Sequence, residues 1–184
     1  MKFKKLFFFA LLSFSLVITG CDKKDSNLSD AVAQNIPKDV TLDLKTTTGE
    51  ELTVKREKGI WSFDKYENKS VLVVFFATWC PPCKAEIPHL INLQNKYGKD
   101  FQVIGVLAEQ DKSNEFVTSF VKEYGINYPI TNSEANFNFA DAVGGVDGIP
   151  AMFLFDKKGQ MVMNYTGATQ EEILDIDISK AIGK

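Results

Sequence analysis

The most constraining stretch of the chain is a continuous apolar run, Val71 to Ala77 (Val-Leu-Val-Val-Phe-Phe-Ala), that leads directly into Trp79-Cys80-Pro81-Pro82-Cys83. A run this short, rich in β-branched and aromatic residues, is expected of a central strand buried on both faces. The segment from about Cys83 to Tyr97 then reads as a helix, with Ile87, Leu90, Ile91 and Leu93 on one broad face and Pro88 expected to kink it. Two cysteines therefore fall at a strand-to-helix junction, and the fold must present that junction.

The rest of the pattern fills in around this unit. Phe101 to Leu107 reads as a second buried strand. Asn114 to Tyr124 reads as an amphipathic helix capped by Ser113, with Phe116, Val117, Phe120, Val121 and Tyr124 at helical spacing. A short strand near Tyr128 to Thr131 and a helix near Glu134 to Val143 follow. After a glycine-bearing loop ending at Ile149-Pro150, Ala151 to Phe155 and Gln160 to Tyr165 form a hairpin across Asp156-Lys157-Lys158-Gly159. A last helix starts at a capping box, Thr169 to Glu172, and is expected to bury Ile173, Leu174 and Ile178. Upstream, Val40, Leu42 and Leu44 alternate with polar residues, as do Leu52 and Val54 beyond a turn, which predicts a β-hairpin. Trp61 and Phe63 are expected to cover an edge of the core. The element order requires crossovers between the early strands and an antiparallel late hairpin, so the fold class is α/β, a mixed central sheet flanked by helices with an added N-terminal hairpin.

The N-terminus reads as targeting rather than fold. Lys2, Lys4 and Lys5 precede Leu6 to Ile18, an apolar run interrupted only by Ser13 and Ser15. It is shorter than the roughly 18 residues of a membrane-spanning helix but suits a secretory signal. Ile18-Thr19-Gly20-Cys21 resembles the lipobox of bacterial lipoproteins, where the signal is cut before a cysteine that receives lipid. The expected organisation is a signal peptide over 1–20, a polar tether over 21–38 anchored through Cys21, and a domain over 39–184. Asp22, directly after the cysteine, resembles an inner-membrane retention signal of some Gram-negative lipoproteins. Without the first twenty residues, which carry three lysines and no acid, the net charge falls from −3 to −6. An acidic domain without a basic stripe argues against a nucleic-acid partner.

With Cys21 assigned to lipid, Cys80 and Cys83 are the only free thiols. On a helix's first turn, two intervening residues put the sulfurs within reach of one bond, which needs Cα atoms roughly 4.4–6.8 Å apart. Unpaired N–H groups at the helix start favour a thiolate, so Cys80 is expected to have a depressed pKa and to be the attacking sulfur. Cys83, one turn inside and expected to be better shielded, would resolve the mixed disulfide. Pro81 and Pro82 stiffen the loop without costing intrahelical hydrogen bonds. Three other readings fit less well. Zinc needs four ligands, and the only histidine is His89. A c-type haem site requires His after the second cysteine, where this chain has Lys84. A structural disulfide over so small a loop would remove little chain entropy.

Phe75-Phe76-Ala77-Thr78-Trp79-Cys80-Pro81-Pro82-Cys83-Lys84-Ala85-Glu86-Ile87-Pro88 resembles the active-site segment of the TlpA/ResA branch of the thioredoxin superfamily. Gly148-Ile149-Pro150-Ala151-Met152-Phe153-Leu154-Phe155-Asp156-Lys157-Lys158-Gly159 resembles its cis-proline strand and following hairpin. The resemblance implies a thioredoxin-like fold, a cis Pro150 packed against the dithiol, and Ile149 placed to pair its backbone with an extended substrate. Thioredoxin itself carries a buried Asp six residues before the first cysteine, where this chain has Val74. Glu86 matches instead an acid that the ResA-like branch places near its cysteines, and is expected to tune or relay protons to the dithiol. Trp79 is expected to shield the site and touch partners. His89 is expected to lie too far along the helix to act on Cys80, and Glu109 with Gln110 forms a weaker candidate pair.

By this resemblance the chain is a periplasm-facing, membrane-tethered reductase of disulfides in secreted proteins, with no cofactor beyond the Cys80–Cys83 disulfide. One implied substrate class is the Cys-x-x-Cys-His segment of apocytochrome c, with electrons from a membrane thiol carrier. A monomer suffices because the site is self-contained. A general thiol oxidase or isomerase, and a redox-silent binding lipoprotein, are the alternatives.

Overall fold

The computed structural model describes residues 39–184. The expected signal peptide over 1–20, the expected tether over 21–38 and Cys21 lie outside the described residues. No helix among the described residues is long and apolar enough to cross a membrane.

The hairpin predicted at the start gains a third strand. β1 (Val40–Lys45), β2 (Glu51–Glu57) and β3 (Ile60–Phe63) form an antiparallel sheet. Leu42 pairs with Val54 and Leu44 with Leu52, so the alternating apolar residues share one inward face. Trp61 and Phe63, expected only as an edge cover, are the inward residues of β3. The turn that brings them there uses a positive φ at Lys58 and Gly59.

The central sheet has the order β6-β5-β4-β7-β8. β4 (Ser70–Phe76) pairs parallel with β5 (Phe101–Leu107) and antiparallel with β7 (Ala151–Phe155). β6 (Ile130–Thr131) and β8 (Met161–Thr166) are the outer strands. Every residue of β4, β5 and β7 is buried, the burial expected of strands covered on both faces. On one face, Leu72, Val74 and Phe76 pack beneath α1 (Pro81–Tyr97), α2 (Asn114–Glu123) and α4 (Glu171–Ala181). On the other, Val71, Val73 and Phe75 meet the N-terminal sheet and Phe139 of α3 (Ala135–Ala142).

Two seams fix the N-terminal sheet. The N–H of Thr47 donates to the Ile130 carbonyl and that of Asn132 to the Lys45 carbonyl, so β1 continues onto the outer side of β6. The N–H of Trp61 donates to the Gly159 carbonyl at 2.8 Å, and a Cβ at Gly159 would sit 1.8 Å from the Trp61 carbonyl oxygen. Only glycine fits that approach, at a φ of 77°.

α1 continues through Pro88 to Tyr97. Three details depart from the sequence pattern. Phe116 of α2 is exposed, with the Lys112 ammonium 5.0 Å from its ring centroid, whereas Val117 and Phe120 are buried. α4 begins at Glu171 with Gln170 at its cap, and no side chain caps it. Thr169 is therefore not an N-cap: its N–H is taken by a carboxylate of another helix. Ile173, expected to be buried, is exposed, while Leu174 and Ile178 are buried.

Candidate active site

β4 ends at Phe76, and Ala77, Thr78 and Trp79 turn the chain into α1. The turn is held by the Cys80 N–H on the Ala77 carbonyl (3.2 Å) and by the Glu109 carboxylate, which accepts the N–H of Thr78. Cys80 is the N-cap of α1, with extended backbone (φ −81°, ψ 111°), and Pro81 and Pro82 occupy the first helical positions. Their missing N–H groups are ones the helix would leave unpaired in any case.

Cys80 and Cys83 are joined by a disulfide, with Cα atoms 5.3 Å apart. The Cys80 sulfur accepts the N–H of Cys83 at 3.3 Å and lies 3.8 Å from the Ile149 carbonyl oxygen. A sulfur at the helix cap facing a backbone donor is one whose thiolate the site would stabilise. The expected difference in shielding is absent in this oxidised form: Cys80 is 2% and Cys83 3% exposed. The Cys80 sulfur lies against the Ile149 carbonyl and Cys83 borders a cavity, so surroundings rather than exposure distinguish them. Cys83 lines a small apolar cavity, of about 10 Å³, with Val74, Ile87, Tyr128 and Pro150 among its walls. That is roughly the room of a single water molecule.

The Ile149–Pro150 bond is cis, and Pro150 shares a wall of this cavity with Cys83. Trp79, next to Cys80 in the turn, is 65% exposed.

Glu86 is 2% exposed, which excludes a solvated position on the helix face. One carboxylate oxygen accepts the Thr169 N–H at 3.1 Å, and the other is buried with no partner. Loss of water raises the carboxyl pKa, against the opposing pull of the Thr169 N–H and of His89. Glu86 follows Cys83 by three residues, one turn along the same side of α1. Val74, where thioredoxin carries its acid, is a buried wall of the cavity.

Two neighbours, Thr169 and Tyr128, escaped the sequence reading as site residues. Thr169 supplies its backbone to Glu86. Tyr128 is 7% exposed, and burial, followed by the charge of Glu86, pushes its phenol far up. Glu109, expected with Gln110 as a weaker candidate pair, grips the active-site turn, pairs with Lys112 at 3.3 Å and lines an open polar cleft together with Gln110. None carried a local signal, since each is brought to α1 by pairing or packing distant in sequence. His89 contacts Glu171 at 2.7 Å, tying α1 to α4 away from the sulfurs.

Residues 31–181 match the protein family described as Redoxin. The chain is 32% identical over 139 residues to the thioredoxin-like protein YneN of Bacillus subtilis, spanning 73% of this chain and 75% of that protein. It is 30% identical over 146 residues to the thiol-disulfide oxidoreductase ResA of Bacillus thuringiensis, spanning 78% and 75%. Among solved structures, a thioredoxin-family thiol:disulfide interchange protein from Chlorobium tepidum superposes with a TM-score of 0.64 at 26% identity, over 78% of this chain and 94% of that one.

Proposed function

The chain belongs to the Redoxin family and is a thiol–disulfide oxidoreductase, and from that premise we propose that it is a membrane-tethered reductase of disulfides in extracytoplasmic proteins. The signal peptide over 1–20 exports it, and lipid on Cys21 holds it at the bacterial membrane, facing the periplasm. The observation that carries the catalytic part is the Cys80 sulfur at the cap of α1, accepting the Cys83 N–H and lying against Ile149.

In the reduced enzyme the Cys80 thiolate attacks one sulfur of a substrate disulfide. A mixed disulfide forms, and the displaced substrate thiolate takes up a proton from solvent. Cys83 then gives its proton to Glu86, whose carboxyl, raised by loss of water, is a better proton acceptor than an exposed one. The Cys83 thiolate attacks Cys80, re-forming the intramolecular disulfide and releasing the second substrate thiolate. Two electrons pass from the dithiol to the substrate, and a membrane thiol carrier restores them. Ile149 and cis-Pro150 align the substrate backbone, while exposed Trp79 and the Pro81-Pro82 turn provide side-chain contacts. The Cys-x-x-Cys-His segment of apocytochrome c is a fitting substrate, because it offers an accessible disulfide in an extended chain.

Cys83→Ser keeps the attacking sulfur and removes the resolving one. It should accumulate mixed disulfides with secreted proteins, detectable as reducible adducts in membranes. Adducts formed by Cys80→Ser and not by Cys83→Ser would reverse the assigned roles.

A further inference from the structure

The seam between α1 and α4 is polar along one side. From the active-site end, Glu86 accepts the Thr169 N–H at 3.1 Å and His89 meets the Glu171 carboxylate at 2.7 Å. Asn92 donates to the same carboxylate at 3.3 Å, and Lys96 pairs with Asp175 at 2.7 Å. The first three contacts all fall on the short segment 169–171, where the chain enters α4. That segment has few holds of its own. Gln170, at the cap of α4, makes no side-chain capping bond, and the first buried residue of the helix is Leu174. Upstream, the Gly167 N–H donates to the Pro150 carbonyl at 2.8 Å, with Gly167 at a φ of 86°. The segment is thus tied to cis-Pro150 at one end and to α1 at the other, with the Thr169 N–H between.

His89 holds the α1 end. A carboxylate only accepts, so the Nδ1 that faces Glu171 carries the proton. Both side chains are partly exposed, and a pair of that kind contributes little to stability by itself. Its place in the fold is what matters. His89 follows Glu86 by three residues, which sets the imidazole one turn from a buried carboxylate with one orphan oxygen. Among the described residues, the Thr169 N–H is the only hydrogen-bond partner of that carboxylate. Burial pushes the Glu86 carboxyl up, and two influences oppose it: the Thr169 N–H and the charge of His89. The other groups facing Glu86 are Cys83, one turn before it on α1, and Tyr128, ahead of β6. Cys83 is in the disulfide, and burial keeps the Tyr128 phenol neutral, so neither supplies an opposing charge.

We propose that His89 is a positioning residue for Glu86: through Glu171 it holds the 169–171 segment on α1, keeping the Thr169 N–H on the carboxylate, and it sets a cationic ring one turn away. Both influences that oppose burial therefore pass through one imidazole. Burial makes Glu86 a stronger base, but a carboxyl left to burial alone would keep its proton between cycles. With Thr169 and His89 in place it empties at lower pH and is free to take the Cys83 proton. This role rests on the reading of Glu86 as the proton acceptor in resolution. His89 acts only through Glu86, which agrees with its position away from the sulfurs.

The test is the titration of the Glu86 carboxyl carbon in the oxidised full-length protein, followed by NMR with isotope-labelled glutamate. The resonance is assigned as the one that Glu86→Gln removes. His89→Ala should move its midpoint to higher pH. His89→Gln keeps a donor for Glu171 without the charge and should move it less, and His89→Lys, which keeps a cation, should stay nearest the wild type. The kinetic counterpart uses the reduced protein and an aromatic disulfide that releases one coloured thiolate on attack by Cys80 and a second on resolution by Cys83. The acid limb of the second release should follow the titration. At a pH on the rising part of the wild-type limb, His89→Ala should resolve about 3-fold or more slowly relative to its own plateau, with the first release unchanged. A Glu86 midpoint that is unmoved or lowered in His89→Ala would overturn the proposal. A midpoint that rises while the acid limb stays in place would uphold it and overturn the proton-acceptor role of Glu86 instead.

Discussion

The two faces of the central sheet are built from the same three strands and do different work. On the back face, Trp61, Phe63, Phe75, Phe139, Phe153 and Phe155 form one aromatic cluster, with paired ring centroids 5.1–6.5 Å apart. Its one buried charge, Arg56, donates to the Ala142 carbonyl at the end of α3 and lies 5.6 Å from the Trp61 ring centroid. There a cation steadies a helix C-terminus. On the front face, the buried ionisable groups are Glu86 and Tyr128, and they surround a disulfide. Each face leaves one buried polar atom without a partner, Arg56 Nε on the back and a Glu86 oxygen on the front, but only the front atom lies one turn from the disulfide.

The largest effects should separate the faces completely. Cys80→Ser should abolish disulfide exchange and leave chemical denaturation of the reduced proteins nearly unchanged. Phe139→Ala should do the reverse, losing about 3–5 kcal/mol of stability while each folded molecule retains its exchange rate. A Phe139→Ala protein that lost exchange while still folded would break the division between the faces.

Glu86 provides a subtler test. Its folded pKa lies above its unfolded value, so the native state holds the proton more tightly. Stability is therefore unpenalised below the unfolded carboxyl pKa, falls as pH rises through the window up to the folded pKa, and stays reduced above it. Glu86→Gln should remove that decline and be more stable than the wild type at neutral pH. It should also slow resolution of a mixed disulfide by about 10-fold or more, as loss of a proton acceptor would. Equal pH slopes of stability in the two proteins would contradict the buried-carboxylate account.

The smallest effects concern Thr169. Its hydroxyl does not cap α4, so Thr169→Ala should change stability by no more than about 0.5 kcal/mol. Thr169→Pro removes the N–H that holds Glu86 and should reproduce part of the Glu86→Gln pH behaviour. A full capping loss of about 1 kcal/mol in Thr169→Ala would restore the capping box.

These cases also show what the sequence discloses. β4 is legible because a strand buried on both faces must be apolar throughout, and the Cys80-Pro81-Pro82-Cys83 turn is legible because its chemistry is local. β1 and β2 announce themselves by alternation. Thr169 to Glu172 satisfies the spacing of a capping box, but a buried carboxylate on another helix claims the Thr169 N–H, and no local pattern records such competition. Tyr128 and Glu109 reach the site through strand pairing and loop packing, so their residue types alone say nothing. The third strand was obscured because Trp61 and Phe63 are only two inward positions, too few to establish a period.

The most direct test of the central claim is the reduction potential of Cys80–Cys83, measured by equilibration with thiol buffers of known potential. A reductase should poise near the value of thioredoxin, about −270 mV, so that the dithiol gives up its electrons to substrate disulfides. A potential near −120 mV, as in strong oxidants of about that poise, would mean that the disulfide accepts electrons and would contradict the assignment.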